Sequence, residues 1–82
     1  MLGEGDVDTE LLSEQKQIER KLFTFDLREN MRGRFLRITE DVGGRRDAIV
    51  VPSTGLEQLR QILDRAIYAS EAAGPGESAQ VE

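Results

Sequence analysis

The sequence of 82 residues contains no cysteine and no histidine. Without cysteine the chain can form neither a disulfide framework nor a thiolate nucleophile. Without histidine it lacks the side chain that most often serves as a general base and as a zinc ligand. Because no other pairing of nucleophile and base is recognisable, the sequence predicts a protein that is not an enzyme, with no catalytic residue, no cofactor and no metal site.

Long hydrophobic runs are also missing from the sequence. No apolar stretch approaches the roughly 18 residues that a transmembrane helix needs. The first residues carry neither the basic nor the apolar segment of a secretory signal. We therefore expect no membrane partner. We also expect an intracellular location, in the cytoplasm, a nucleoid or a nucleus.

A chain of 82 residues forms at most one small domain, and a domain of that size buries too little surface to be comfortably stable alone. Oligomerisation is therefore expected. The formal net charge of −5 is unevenly spread, because the segment from Glu14 to Val50 carries +2 and the remainder carries −7. The local field matters more than the total for a binding groove. The charge thus permits nucleic-acid binding without favouring it.

Composition divides the chain into three parts. Residues 1–10 are acidic and glycine-rich, and residues 71–82 contain a Gly-Pro-Gly breaker, so both tails are predicted to be disordered. Residues 11–70 carry the structural patterns. In residues 21–28, Phe23, Phe25 and Leu27 alternate with polar residues, which is typical of a half-buried strand. Residues 12–20 fit either a strand or a frayed helix.

Turn signals separate the later elements. Asn30 and Gly33 bound a predicted tight turn in which both can take left-handed conformations. A strand over 34–40, a glycine-rich turn and a short strand over 48–51 follow. Thr54 and Glu57 fit a capping box, and apolar residues then recur at helical spacing to about Ala69. The pattern predicts an α+β fold, an antiparallel sheet with one helix covering its aliphatic face.

Residues 28–39 are the most informative segment, with four arginines and one phenylalanine. On a strand, Leu36 and Ile38 share one face, while Phe35 and Arg37 share the other. An aromatic ring among guanidinium groups is typical of a stacking platform for nucleobases, worth roughly 1–3 kcal/mol per base. The alternatives are a core phenylalanine buried by dimerisation and arginines that deter edge-to-edge aggregation. Asn30 could form the turn, contact a nucleobase, or do both.

Residues 21–38, followed by 48–52 and 55–60, resemble one repeat of the Pur-alpha (PUR) family of purine-rich single-stranded nucleic-acid-binding proteins. The motif that carries the resemblance is Glu-Asn-x-Arg-Gly-Arg-Phe-Leu-Arg-Ile over 29–38. The resemblance covers about 12–70 and implies an antiparallel four-stranded sheet followed by one helix. It further implies that two copies intertwine into a Whirly-like PUR domain, so that a single repeat acts as a homodimer.

The resemblance also implies a binding site. The family's Lys/Arg-x-Asn-x-Arg set and the phenylalanine beyond it fall on Arg28, Asn30, Arg32 and Phe35. With the basic residues Lys21 and Arg37, these are the predicted nucleic-acid-binding residues. Lys16, where a leucine is common, and the acidic Glu19 depart from the family pattern.

The sequence therefore predicts a homodimer that binds single-stranded DNA or RNA, with no small-molecule substrate. The preference for purine- or G-rich strands is implied by the resemblance alone. The alternative is a protein-interaction or dimerisation module that has the PUR fold and binds little nucleic acid, which the net charge of −5 would suit.

Overall fold

The computed structural model describes residues 8–75, which form four strands and a helix. Neighbouring strands pair antiparallel in the order of the sequence. This arrangement confirms the predicted α+β class, with a four-stranded antiparallel sheet followed by one helix. The elements are β1 (Thr9–Ile18), β2 (Lys21–Asn30), β3 (Gly33–Val42), β4 (Arg45–Pro52), a 3₁₀ turn (Ser53–Gly55) and α1 (Leu56–Ala73).

Several element boundaries differ from the predicted ones. The segment that fitted either a strand or a frayed helix is part of β1. Strand β1 already begins at Thr9, so two residues of the predicted N-terminal tail belong to the sheet. Strand β4 starts three residues earlier than predicted, and α1 continues past the predicted domain end to Ala73. The remaining parts of the two predicted tails, residues 1–7 and 76–82, lie outside the described residues.

The turn between β2 and β3 is closed by a side chain. Gly33 takes a positive φ of 140°, whereas Asn30 does not, since Glu19 is the only residue other than glycine with a positive φ within residues 8–75. Instead, the backbone N–H of Arg32 donates to Asn30 Oδ1 over 2.9 Å. An asparagine side chain that accepts this hydrogen bond mimics a turn of the backbone. Asn30 therefore keeps strand geometry and still closes the turn.

The strand register sorts the side chains onto two faces. The apolar face carries rows of paired aliphatic and aromatic residues, such as Phe25, Ile38 and Ile49. On the same face the rings of Phe23 and Phe25 stack with centroids 6.3 Å apart. The opposite side is the polar face, and it carries Arg28, Asn30, Phe35, Arg37, Thr24 and Thr39. The predicted division of β2 and β3 into two faces is confirmed.

The helix does not cover the sheet, so that prediction is wrong. Its principal contact is with the 3₁₀ turn that precedes it, and Ile62, Leu63 and Ile67 remain more than half exposed. No hydrophobic side chain within residues 8–75 is fully buried. A stripe of apolar residues on one side of a helix indicates that this side can be buried, but it does not specify the surface that buries it. The radius of gyration of 15.9 Å accordingly exceeds the roughly 12 Å of a compact chain of this length.

The predicted capping box at the start of α1 does not form either. The N-cap is Gly55, and no side chain caps the helix. Thr54 lies within the 3₁₀ turn, which moves the helix start one residue further along the chain. Glu57 pairs with Arg60 instead. An N-terminal glycine and an acidic first turn together start this helix without a hydroxyl cap.

Candidate nucleic-acid interface

The polar face presents its basic and aromatic residues near the β2–β3 turn. Phe35 lies between Arg28 on β2 and Pro52 on β4, as their cross-strand pairing shows. The next row along the strands places Arg37 between Asp26 and Val50. Directly opposed residues on antiparallel strands have Cβ atoms about 4.5–5.5 Å apart. The pairing therefore brings the predicted aromatic residue and two predicted cations into one surface.

This surface is a groove. A depression of about 500 Å³ near the turn is lined by Asp8, Asn30, Arg32, Gly33, Arg34, Phe35, Arg37, Val50 and Pro52. A second depression of about 310 Å³ is lined by Gln15, Leu22, Thr24, Asp26, Arg37, Thr39, Asp41 and Arg46. Arg37 borders both, so the two depressions are neighbours on the polar face. We call these two depressions together the groove.

Phe35 is half-buried in the groove. Because Leu36 and Ile38 point to the apolar face, the Phe35 ring is the aromatic surface of the groove. Pro52 and Val50 provide apolar walls beside it. Every nucleobase, whatever the sequence of the strand, offers a π-face to such a ring. The position of Phe35 on the polar face is therefore compatible with stacking on a nucleobase.

Two of the groove's arginines have no ion-pair or hydrogen-bond partner for their side chains among residues 8–75. These are Arg32, which is exposed in the turn, and Arg37, which is half-buried between the two depressions. The neighbouring carboxylate of Asp26 instead accepts a hydrogen bond from the Ser13 hydroxyl over 2.7 Å. Unpaired guanidinium groups beside an aromatic ring can bind phosphate groups by charge-assisted hydrogen bonds.

Asn30 lines the groove and Arg28 lies on the same face of the sheet opposite Phe35, but both side chains are already engaged. Arg28 lies 3.5 Å from Asp8 and 3.6 Å from Glu10, measured between charged atoms. Asn30 Nδ2 donates to Asp8 Oδ1 over 3.0 Å, while Asn30 Oδ1 accepts from Arg32. Sequence reasoning missed both acids, because their contacts depend on the register of β1 and they lie in the predicted N-terminal tail. No local pattern in the sequence indicates this pairing.

Lys21 is not brought together with the other predicted binding residues. It lies on the apolar face, where its Nζ is 2.8 Å from Glu40. It also begins β2, whereas Asn30 ends it, a separation of roughly 30 Å at about 3.3 Å per residue. The sequence does indicate this position. Lys21 is two residues from Phe23 on the same strand, so both side chains lie on the apolar face.

Within residues 8–75, no group of three or more acidic, histidine or cysteine side chains could hold a metal ion. No helix in the same range is long and apolar enough to span a bilayer.

The chain is similar to known nucleic-acid-binding proteins. Residues 3–80 match the family described as PurA ssDNA and RNA-binding protein, which is a family of binding proteins. The chain is also 42% identical over 64 residues to transcription factor Pur-alpha 1 from Arabidopsis thaliana. That alignment covers 78% of this chain but 22% of the relative, so the chain spans less than a quarter of the relative's length. The chain belongs to the PurA family of single-stranded DNA- and RNA-binding proteins.

Proposed function

We propose that this protein is a homodimer that binds single-stranded DNA or RNA in the groove of its polar face. The observation that carries the proposal is the half-buried Phe35 beside two arginines whose side chains have no partner within residues 8–75. The membership of a family of nucleic-acid-binding proteins supports the same conclusion.

Each component of the groove has a distinct task in this proposal. Arg32 and Arg37 bind phosphates and hold the strand in register, which gives affinity without sequence information. Phe35 stacks on or separates bases that a single strand leaves unpaired. Asn30 offers an amide to base edges once its contact with Asp8 is exchanged. Lys21 lies on the apolar face of the sheet. It is therefore proposed to contact only a nucleic acid long enough to extend beyond the groove.

The preference for purine-rich strands is proposed from the family resemblance, and stacking on the same ring is compatible with it. A purine has two fused rings and covers more of the Phe35 face than a pyrimidine does, so its stacking is stronger. The printed name of the Arabidopsis relative describes a transcription factor. That name favours DNA as a ligand and a location with access to DNA, in a nucleus or nucleoid.

The homodimer is proposed from surfaces that the single chain leaves exposed. The apolar face has no helix over it, and the apolar stripe of α1 has no sheet beneath it. Leu59, Leu63 and Ile67 recur on one side of the helix, which is the side that a globular helix buries. If α1 of each copy lies against the apolar face of the other, both surfaces are buried at once. Such an exchange leaves the two polar faces open for nucleic acid.

An oligonucleotide titration tests the proposed binding. Fluorescence anisotropy at low salt should show tighter binding to a G-rich strand than to a pyrimidine-only strand. Arg37→Gln should weaken binding by about 1 kcal/mol or more, as expected for a charge-assisted hydrogen bond. The matched control is Arg45→Gln, which removes the same charge from the apolar side of β4. Equal losses in both variants would point to a non-specific charge effect.

The second candidate function is a dimerisation or protein-interaction module that binds little nucleic acid. The exposed apolar stripe and the net charge of −5 favour it. A stable dimer that fails to bind either strand in this titration would support that function and would contradict the groove as a nucleic-acid site.

A further inference from the structure

We propose that Asp8 and Glu10 form an autoinhibitory contact that occupies the phosphate site at Arg28. Nucleic acid must displace these two carboxylates before Arg28 and Asn30 can take part in binding. This inference rests on the proposed function, and it adds an internal competitor for the ligand.

The contacts place both carboxylates where a phosphate group would sit. Asp8 Oδ2 is 3.5 Å from Arg28 Nε, and Glu10 Oε1 is 3.6 Å from Arg28 Nη1. Asp8 Oδ1 also accepts the hydrogen bond from Asn30 Nδ2 over 3.0 Å. Asp8 lines the same depression as Phe35. One acidic side chain therefore engages two predicted nucleic-acid contacts, in the manner of a bound anion.

A bulge in β1 brings Glu10 to this position. The register of β1 on β2 shifts between Glu10 and Leu12, so that Leu12 opposes Leu27 and Glu10 opposes Arg28. An uninterrupted ladder would place Leu11 opposite Arg28. A bulge adds one residue to a strand and re-aims the side chains beyond it, and bulges are over-represented near functional sites. Here the bulge replaces a leucine by a carboxylate beside the binding arginine.

The contact is weak enough for a ligand to displace. Both ion-pair distances exceed the about 2.7–2.9 Å of a good charge-assisted hydrogen bond. Arg28 Nε is buried and has no hydrogen-bond partner among residues 8–75. Glu10 is also half exposed, at 54%, and exposed ion pairs contribute little to stability. A phosphate can satisfy two guanidinium N–H groups at once, so it suits Arg28 better than this pair of carboxylates.

The exchange changes the salt dependence of binding. A free arginine releases counterions from the strand when it binds a phosphate, which gives a slope of about 0.7 in log affinity against log salt per phosphate. In the wild type, the phosphate replaces a carboxylate that was already paired with Arg28, and the two carboxylates attract cations as they are released. We therefore expect the autoinhibited protein to show a shallower salt slope than a variant without these acids.

The test is the double variant Asp8→Asn with Glu10→Gln, titrated with a G-rich single strand over a range of salt. Its affinity at low salt should rise roughly three- to tenfold, the range expected from one or two weak ion pairs. Its salt slope should steepen by about 0.7, as for one further phosphate. The matched control is Glu57→Gln with Asp64→Asn, which also removes two acids that share one arginine, Arg60. The control should change affinity less than about twofold, because its charges lie on the helix.

A third protein separates local displacement from a general effect of charge. When Arg28→Gln is combined with the double variant, the gain in affinity should disappear, because there is no cation left to release. A gain that persists without Arg28, or an equal gain in the helix control, overturns the proposal. A loss of affinity in the double variant also overturns it, because the acids would then hold Asn30 and Arg28 in position for the ligand.

The outcomes also separate this inference from the proposed function. Binding by the wild type that is unchanged in the double variant overturns the inference alone. Binding that is seen only in the double variant supports complete inhibition by the two acids. If neither protein binds any strand, the proposed function fails and the inference fails with it.

Discussion

Phe35 is one of three phenylalanines in the chain and the only one on the polar face. Alternation along β3 is sufficient to predict this position, because Leu36 and Ile38 fix the parity of the apolar face. The sequence does not predict the neighbours of the ring across the sheet, such as Pro52, since they depend on the register of β4. The face of a residue is thus a local property, whereas its surroundings are not.

Phe35→Ala should weaken binding to a G-rich strand by roughly 1–3 kcal/mol, because it removes the stacking surface. It should leave the dimer intact, since the ring does not belong to the apolar face. Anisotropy titration and sedimentation of the same preparation measure the two effects. Phe25→Ala is the control, and it should disturb assembly and stability more than it disturbs binding by the folded fraction. If the Phe35→Ala dimer dissociates as readily as the Phe25→Ala dimer, Phe35 belongs to the dimer core.

At the scale of elements, strand prediction succeeds where alternation is strong and fails where contacts across the sheet decide. Strands β2 and β3 follow directly from their patterns. Strand β1 carries charged residues on both faces, including Lys16 and Glu14 opposite Phe23 and Phe25, so its pattern is ambiguous. Pairing with β2 determines its structure. The bulge beside Glu10 and the contacts of Asp8 arise from the same pairing and have no local signal.

The helix shows a different limit of prediction. Its apolar stripe indicates that one side will be buried, but the stripe does not specify which surface buries it. In the structure α1 makes its principal contact with the 3₁₀ turn and not with the sheet. We therefore propose that a second copy buries the exposed stripe.

Leu63→Asp should dissociate the dimer, because it places a charge at the centre of the apolar stripe, where an unpaired buried charge costs several kcal/mol. Gln61→Asp is the matched control, since it introduces the same residue on the polar side of the same helix turn. Sedimentation of both variants at equal concentration measures the effect. If the two variants remain equally dimeric, α1 does not pack against the partner copy.

For the whole molecule, the structure joins a polar groove and an uncovered apolar side in one thin sheet. With no fully buried hydrophobic side chain in residues 8–75, a single copy lacks the core that a stable domain requires. The predicted need for oligomerisation rests on chain length alone, whereas the surface that we propose for it depends on the position of α1. Folding and association are expected to be one process.

The melting temperature should consequently rise with protein concentration, because the unfolded chains must associate to regain the folded state. Thermal unfolding followed by circular dichroism over a roughly hundredfold range of concentration measures this dependence. A melting temperature that is independent of concentration, together with a monomeric mass, would show that one copy is stable by itself.

The most direct test of the groove as the nucleic-acid site uses the three phenylalanines as reporters. With 4-fluorophenylalanine incorporated at Phe23, Phe25 and Phe35, a ¹⁹F NMR titration with a G-rich single strand reports on both faces of the sheet at once. We predict that the Phe35 resonance shifts as bases stack on it, while those of Phe23 and Phe25 stay nearly unchanged on the apolar face. Binding that leaves the Phe35 resonance unmoved, or that shifts the other two instead, would contradict the assignment of the groove.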